Sequence, residues 1–163
     1  MTPLAEQVQR LAYAVTVGTI TQSLFLALVV PLLAATRARA AVEADVRVSE
    51  HLEEEPVGLW LPDRSEHYTK SFTTVLTITD EVLPGQADRL TALVESIEAD
   101  SQQEATQKAM KFHDVEKYQF VAGANACETC TADDGKVYPV TKNPSHHRNC
   151  NCEAKPIKEE NPL

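Results

Sequence analysis

Ala126-Cys127-Glu128-Thr129-Cys130 and His146-His147-Arg148-Asn149-Cys150-Asn151-Cys152 are the two stretches on which the reading of this chain turns. They hold all four cysteines of the 163-residue protein, as a Cys-x-x-Cys pair and a Cys-x-Cys pair separated by nineteen residues. A two-residue gap lets both sulfurs of Cys127 and Cys130 reach one small cation from a turn. The later cluster then supplies the remaining corners of a tetrahedron, the geometry zinc takes with thiolate and imidazole. His147 repeats the two-residue gap with respect to Cys150, which favours it over His146. Candidate ligands are therefore Cys127, Cys130, His147, Cys150 and Cys152, and an excess of donors over four positions points to a closed, structural zinc site. Disulfides are the competing use of these thiols, but a Cys-x-Cys pair is too close to bridge itself without strain. A redox couple would need only the first pair.

Outward from this module, Lys117-Tyr118-Gln119-Phe120-Val121 alternates polar and apolar residues and predicts a strand. Asp134-Gly135 is a hairpin turn signal. Val137 to Val140 is the expected return strand, with Pro139 confining it to an edge. A further short strand is expected through Cys152 to Ala154, and a frayed tail from Lys155 to Leu163.

Upstream, the pattern is helical. Thr2-Pro3 is a helix start, a capping hydroxyl followed by a proline in the first turn. From Leu11 to Thr36 no residue is charged. The strictly apolar core of that run, Leu24 to Ala35, is shorter than the ~20 residues a bilayer span needs. Threonines interrupt the run, and Gly18 and Pro31 are read as breaks in its regularity. A membrane is accordingly not expected; a helix buried against partners or its own bundle is. Helix is expected again from Ala34 to Val48, ending in the acidic run Glu53-Glu54-Glu55, read as a solvated linker. Trp60, the only tryptophan, is expected to plug the core. Ser71 to Thr79 is dense in threonine and β-branched residues, and propensity there says strand. The clearest helix is expected from about Gln86 to His113, with Leu90, Leu93, Val94, Ile97, Ser101, Ala105 and Ala109 on one face.

The formal net charge is −9, concentrated between residues 43 and 116, while the first 42 residues are slightly basic and the cysteine-bearing region is balanced. So acidic a surface argues against nucleic-acid binding driven by charge. The fold class these readings define is α+β: a mainly helical N-terminal region followed by a small zinc-stapled β-hairpin module. Four consecutive segments are expected, namely a helical docking region at 1–55, a helical region with the long amphipathic helix at 56–116, the zinc-binding β module at 117–155 and a flexible tail at 156–163.

The order of a strand at Lys117 to Val121, Cys127-x-x-Cys130, Asp134-Gly135-Lys136-Val137-Tyr138 and His147-x-x-Cys150-x-Cys152 resembles the phage head morphogenesis family, the Mu F-like minor capsid proteins. The resemblance covers about the last 50 residues well and the long helix before them loosely. Arg148 and Asn151 stand where family members usually carry proline and arginine. The resemblance implies zinc on Cys127, Cys130, His147 and one or both of Cys150 and Cys152. It also implies a non-enzymatic structural protein of the virion, placed inside the head near the portal after assembly in the host cytoplasm. Portal and capsid proteins would be its partners, with packaged DNA a further one and no small-molecule substrate. The alternatives are a zinc-ribbon interaction module of a host regulatory protein and a His-Asn-His nuclease. Cys-x-x-Cys with His146-His147 imitates the start of such a nuclease, but no histidine follows Cys152 to complete it.

Overall fold

A computed structural model describes residues 1–77, 86–142 and 151–158. It has the expected α+β organisation, helices first and then a small three-stranded antiparallel sheet. The chain divides into two compact units, Met1–Arg37 with Pro62–Glu98 and Ala38–Leu61 with Ala99–Leu163. Each unit is thus built from two separated stretches, because two long helices contribute to both.

In the first unit, α1 (Pro3–Thr16) begins as its sequence dictates. The Thr2 hydroxyl accepts from the Ala5 amide, Pro3 occupies the first turn, and the same hydroxyl donates to Glu98 at 2.5 Å. Gly18, at φ +73°, lets the chain leave the helix. Thr21 then caps α2 (Gln22–Leu52) by accepting from the Leu24 amide at 3.1 Å. Pro31 lies inside α2 without ending it. Proline removes one amide and orphans the carbonyl of Ala27, but both residues are exposed, so solvent can satisfy a freed carbonyl there.

The segment read as a strand, Ser71 to Thr79, is helix as far as the described residues go: α3 spans Ser65–Thr77, and Ile78 and Thr79 lie outside them. Two forces override the β propensity. Tyr68, Phe72 and Leu76 repeat every four residues and are buried. The threonine and serine hydroxyls donate back one turn, Thr69 to Ser65, Ser71 to His67, Thr73 to Thr69 and Thr74 to Lys70, which satisfies them inside a helix. Asp63 caps α3 through the Ser65 amide and hydroxyl. The core of this unit takes three residues from each helical segment: Ala5, Val8 and Ala12; Phe25, Val29 and Leu33; Tyr68, Phe72 and Leu76; Leu90, Val94 and Ile97.

The second unit holds the later part of α2, the end of α4 (Gln86–Phe112) and the sheet. The predicted stripe of α4 is buried or half-buried from Leu90 through Ala109. Strands β1 (Lys117–Val121), β2 (Val137–Pro139) and β3 (Glu153–Ile157) lie in the order β2-β1-β3, all antiparallel, with Tyr118 opposite Tyr138 on one side and Pro156 on the other. Pro139 is on an edge, as required of a residue with no amide to give. The third strand runs further than Ala154: Lys155, Pro156 and Ile157 pair with β1 instead of fraying, and residues 159–163 lie outside the described ones. Asp134-Gly135 does not close a two-residue hairpin. The β1–β2 connection contains a short helix, α5 (Glu128–Asp133), and Gly135, at φ +75°, turns the chain into β2 with its amide donating to Phe120.

Trp60 is not a core plug. It is 70% exposed, with the Lys108 ammonium 5.6 Å from its ring, and Leu59 is the buried residue of that loop. By length and composition α2 is apolar enough to cross a membrane. A third of its most apolar window is buried within the protein, and Phe25, Val29 and Leu33 spend that apolarity on the core.

Candidate metal centre

The Cys127-x-x-Cys130 pair straddles the start of α5. Cys127 is its N-cap residue and Cys130 lies in the first turn, buried. One turn of helix puts positions three apart on one face, so the spacing delivers both sulfurs to the same side by local geometry alone. Cys152 arrives from the other end of the module, immediately before β3. Its Sγ accepts from the Gly123 amide at 3.5 Å, a contact that stabilises a thiolate more than a thiol.

The two segments are held together by close backbone approach. Gly123 sits directly against Asn151: a Cβ there would lie 2.4 Å from Asn151 Oδ1 and 2.5 Å from its carbonyl oxygen. Asn151 Nδ2 donates to the Ala124 carbonyl at 3.3 Å, and the Ala126 amide donates to Gly123 at 3.2 Å, closing the turn that leads to Cys127. Asn125, at φ +60°, occupies the left-handed position of that turn, one that asparagine tolerates better than most residues. Cys127, Cys130 and Cys152 are thereby brought near one another. His146, His147 and Cys150 lie outside the described residues. Among the described residues, no group of three or more histidine, cysteine or acidic side chains is arranged to hold a metal ion. Thiolate is a ligand type that zinc accepts, and three thiols from two segments lie near one another; in the sequence His146, His147 and Cys150 fall in the stretch between those segments.

A second cluster, in the same unit, escaped the sequence reading. Asp45, Ser49 and His113 are buried side chains on helices or their ends. The Asp45 carboxylate accepts from the amides of Val57, Gly58 and Leu59 at 3.2, 2.8 and 2.9 Å. His113 Nε2 lies 3.2 Å from Ser49 Oγ and 3.4 Å from Asp45 Oδ1, and Nδ1 lies 2.9 Å from Glu54 Oε2. Lys158, just past β3, reaches the other Glu54 oxygen. Burial pushes the Asp45 carboxyl up, but the amides of Leu59 and Val57, the His113 ring and the Gly58 amide outweigh it and hold it below the usual range. Glu54 is held low by hydrogen bonds from Lys158 and then His113. The acidic run is thus not merely solvated: its middle member ties the end of α2 to the end of α4 and to the tail.

Serine, histidine and carboxylate here stand in the order of a hydrolytic triad. The resemblance stops at access. Ser49 is 1% exposed, and its hydroxyl donates to the Asp45 carbonyl of its own helix at 2.7 Å, so no nucleophile is presented to a substrate. A signal for this network does exist in the sequence. His113 continues the buried stripe of α4 at the next four-residue step after Ala109, and Asp45 falls between Ala41, Ala44 and Val48 on the buried side of α2.

Comparison with protein families, with curated proteins and with solved structures finds no match to this chain.

Proposed function

We propose that this chain is a structural, non-enzymatic minor capsid protein of the head morphogenesis type in a tailed bacteriophage, with a zinc-stapled C-terminal module. The observation that carries the reading is the approach of Cys127, Cys130 and Cys152 across the Gly123–Asn151 contact, in the motif order that resembles that family. Zinc would be held by those thiols together with His147 and Cys150. When bound it supplies a cross-link between the start of α5 and the start of β3, and no chemistry on a substrate. The chain's own residues position that cross-link: Gly123 admits Asn151, the Gly123 amide faces the Cys152 sulfur, and Cys130 is buried beneath the turn. A three-stranded sheet this small has little core of its own, and metal binding contributes folding free energy directly in such modules. The apolar N-terminal helices provide docking onto portal and capsid subunits within the head, near packaged DNA.

The test is metal analysis of the purified full chain with thiol titration, followed by co-production with portal and capsid subunits. About one zinc per chain, with thiols that react only after chelation, and incorporation into assembled heads support the proposal. Folded, metal-free protein with four freely reactive thiols overturns the zinc site. DNA cleavage that needs a divalent metal and is lost on His146→Ala overturns the non-enzymatic reading.

A further inference from the structure

The strand order leaves two sheet edges, the outer sides of β2 and β3, and the register says which backbone groups point there. The Phe120 amide donates to the Lys136 carbonyl and the Val140 amide to that of Glu116. Even-numbered residues of β1 therefore turn their backbone groups toward β2. Lys117, Gln119 and Val121 turn theirs toward β3, where they meet Ile157, Lys155 and Glu153. Between those pairs, Ala154 and Pro156 direct their amide nitrogens and carbonyls away from β1. On the other side Tyr118 pairs with Tyr138, so Val137 and Pro139 point outward from β2. Each edge thus carries a proline whose ring nitrogen, with no hydrogen to donate, stands on the outer side. On β2, the Pro139 carbonyl is already taken by the Lys142 amide, and Val137 alone is left to pair.

The edge of β3 is in other respects complementary to itself. An antiparallel two-fold pairing centred on Ala154 would exchange both hydrogen bonds between the two alanines. It would also set Glu153 of each copy directly opposite Lys155 of the other, an opposite-charge pair made twice. Lys155 is exposed and the Glu153 side chain is 40% exposed. Moving the axis one residue either way sets Glu153 against Glu153 or Lys155 against Lys155, so charge selects the central register. In that register Pro156 falls opposite Cys152 of the second copy, at both ends of the pairing. There it gives no donor, and its ring fills the space in which an amide hydrogen would meet the facing strand. We propose that Pro156 is a block built into the sheet, which keeps β3 from pairing with β3 of a second copy. An edge that is self-complementary in charge is the kind that needs such a guard. The block stands independently of the capsid and zinc assignments.

Pro156→Val in the full chain tests it, because valine restores the amide and favours a strand; Pro156→Ala restores the amide with a smaller side chain. Sedimentation velocity from about 1 to 100 µM should show both variants associating about tenfold or more tightly than the native chain, the worth of two restored hydrogen bonds per dimer. Deuterium exchange at the Ala154 amide should slow as either variant is concentrated, and stay independent of concentration in the native chain. Adding Lys155→Glu to Pro156→Val should reverse the gain, and adding Glu153→Lys as well should restore it. Variants that keep the native far-ultraviolet circular dichroism but associate no more tightly than the native chain overturn the block. Association indifferent to Lys155→Glu overturns the register. Concentration-dependent protection of Ala154 in the native chain also overturns the proposal, by showing the edge paired despite Pro156, and that measurement needs no substitution to fold.

Discussion

Replacing Asp45 by alanine tests whether the loop from Val57 to Leu59 is held by one carboxylate. The residue is 2% exposed, and its carboxylate accepts from three consecutive backbone amides as well as facing His113. After truncation, the amides of Val57 and Gly58 can turn to water, since both residues are exposed, and each loses about 0.5–1 kcal/mol. The Leu59 amide belongs to a buried residue, and a buried donor left without an acceptor costs about 1–3 kcal/mol. Together the loss is about 3 kcal/mol, or roughly 150-fold in the unfolding equilibrium. Trp60 follows Leu59 directly and is the only tryptophan, so urea unfolding followed by its fluorescence reads this region. With a urea slope of about 2 kcal/mol/M the midpoint should fall by about 1.5 M. Exchange of the Leu59 amide with deuterium should accelerate. Asp45→Asn keeps one carbonyl acceptor and should cost about half as much. A loss below ~1 kcal/mol for the alanine variant, with Leu59 still protected, would show that the loop is held by the burial of Leu59 and that the carboxylate is incidental.

Acid should destabilise the second unit through the same network. The folded pKa values of Asp45 and Glu54 lie below their ordinary ones. Their contribution is therefore complete above about pH 4–5 and is lost as the pH falls through the lower folded values; the urea midpoint measured from pH 7 to 3 should drop at the acid end, less steeply in Asp45→Asn. Gly123→Ala forces a methyl group against Asn151 and should cost about 1–3 kcal/mol. Gly135→Ala, which meets only ordinary van der Waals distance but keeps φ at +75°, should cost about 1–2 kcal/mol; equal effects of the two on zinc content would refute a special role for the Gly123 approach. Cys127→Ser and Cys130→Ser should each abolish zinc retention and unfold the β module while leaving the helical signal of α1 and α3, as judged by circular dichroism and by amide exchange at Val8 and Phe72.

Much of this architecture is written in local pattern. The apolar stripe of α4, the Thr2-Pro3 start of α1, the alternation in β1 and the edge position of Pro139 depend on residues within a turn or two of one another, where backbone geometry leaves few choices. The Cys127–Cys130 spacing is of the same kind, because one helical turn suffices to align two sulfurs. Where local propensity and burial disagreed, burial decided. Tyr68, Phe72 and Leu76 could reach the core only as a helix, and back-bonded hydroxyls removed the objection of the threonines around them. Pro31 was tolerated because the carbonyl it frees belongs to an exposed residue, where solvent can satisfy it. Trp60 stayed outside while its smaller neighbour Leu59 was drawn in by the amides that Asp45 binds.

Tertiary structure alone decided the rest. Nothing in the linear order says that Asp45, Ser49, Glu54 and His113 meet, since the histidine lies about sixty residues from its partners, and only the packing of two helix ends converts scattered polar residues into one network. The same holds for Cys152 and Gly123, 29 positions apart. Pairing β3 with β1 carries the sulfur to the turn before α5, and a glycine is needed there only because Asn151 occupies the space a side chain would fill.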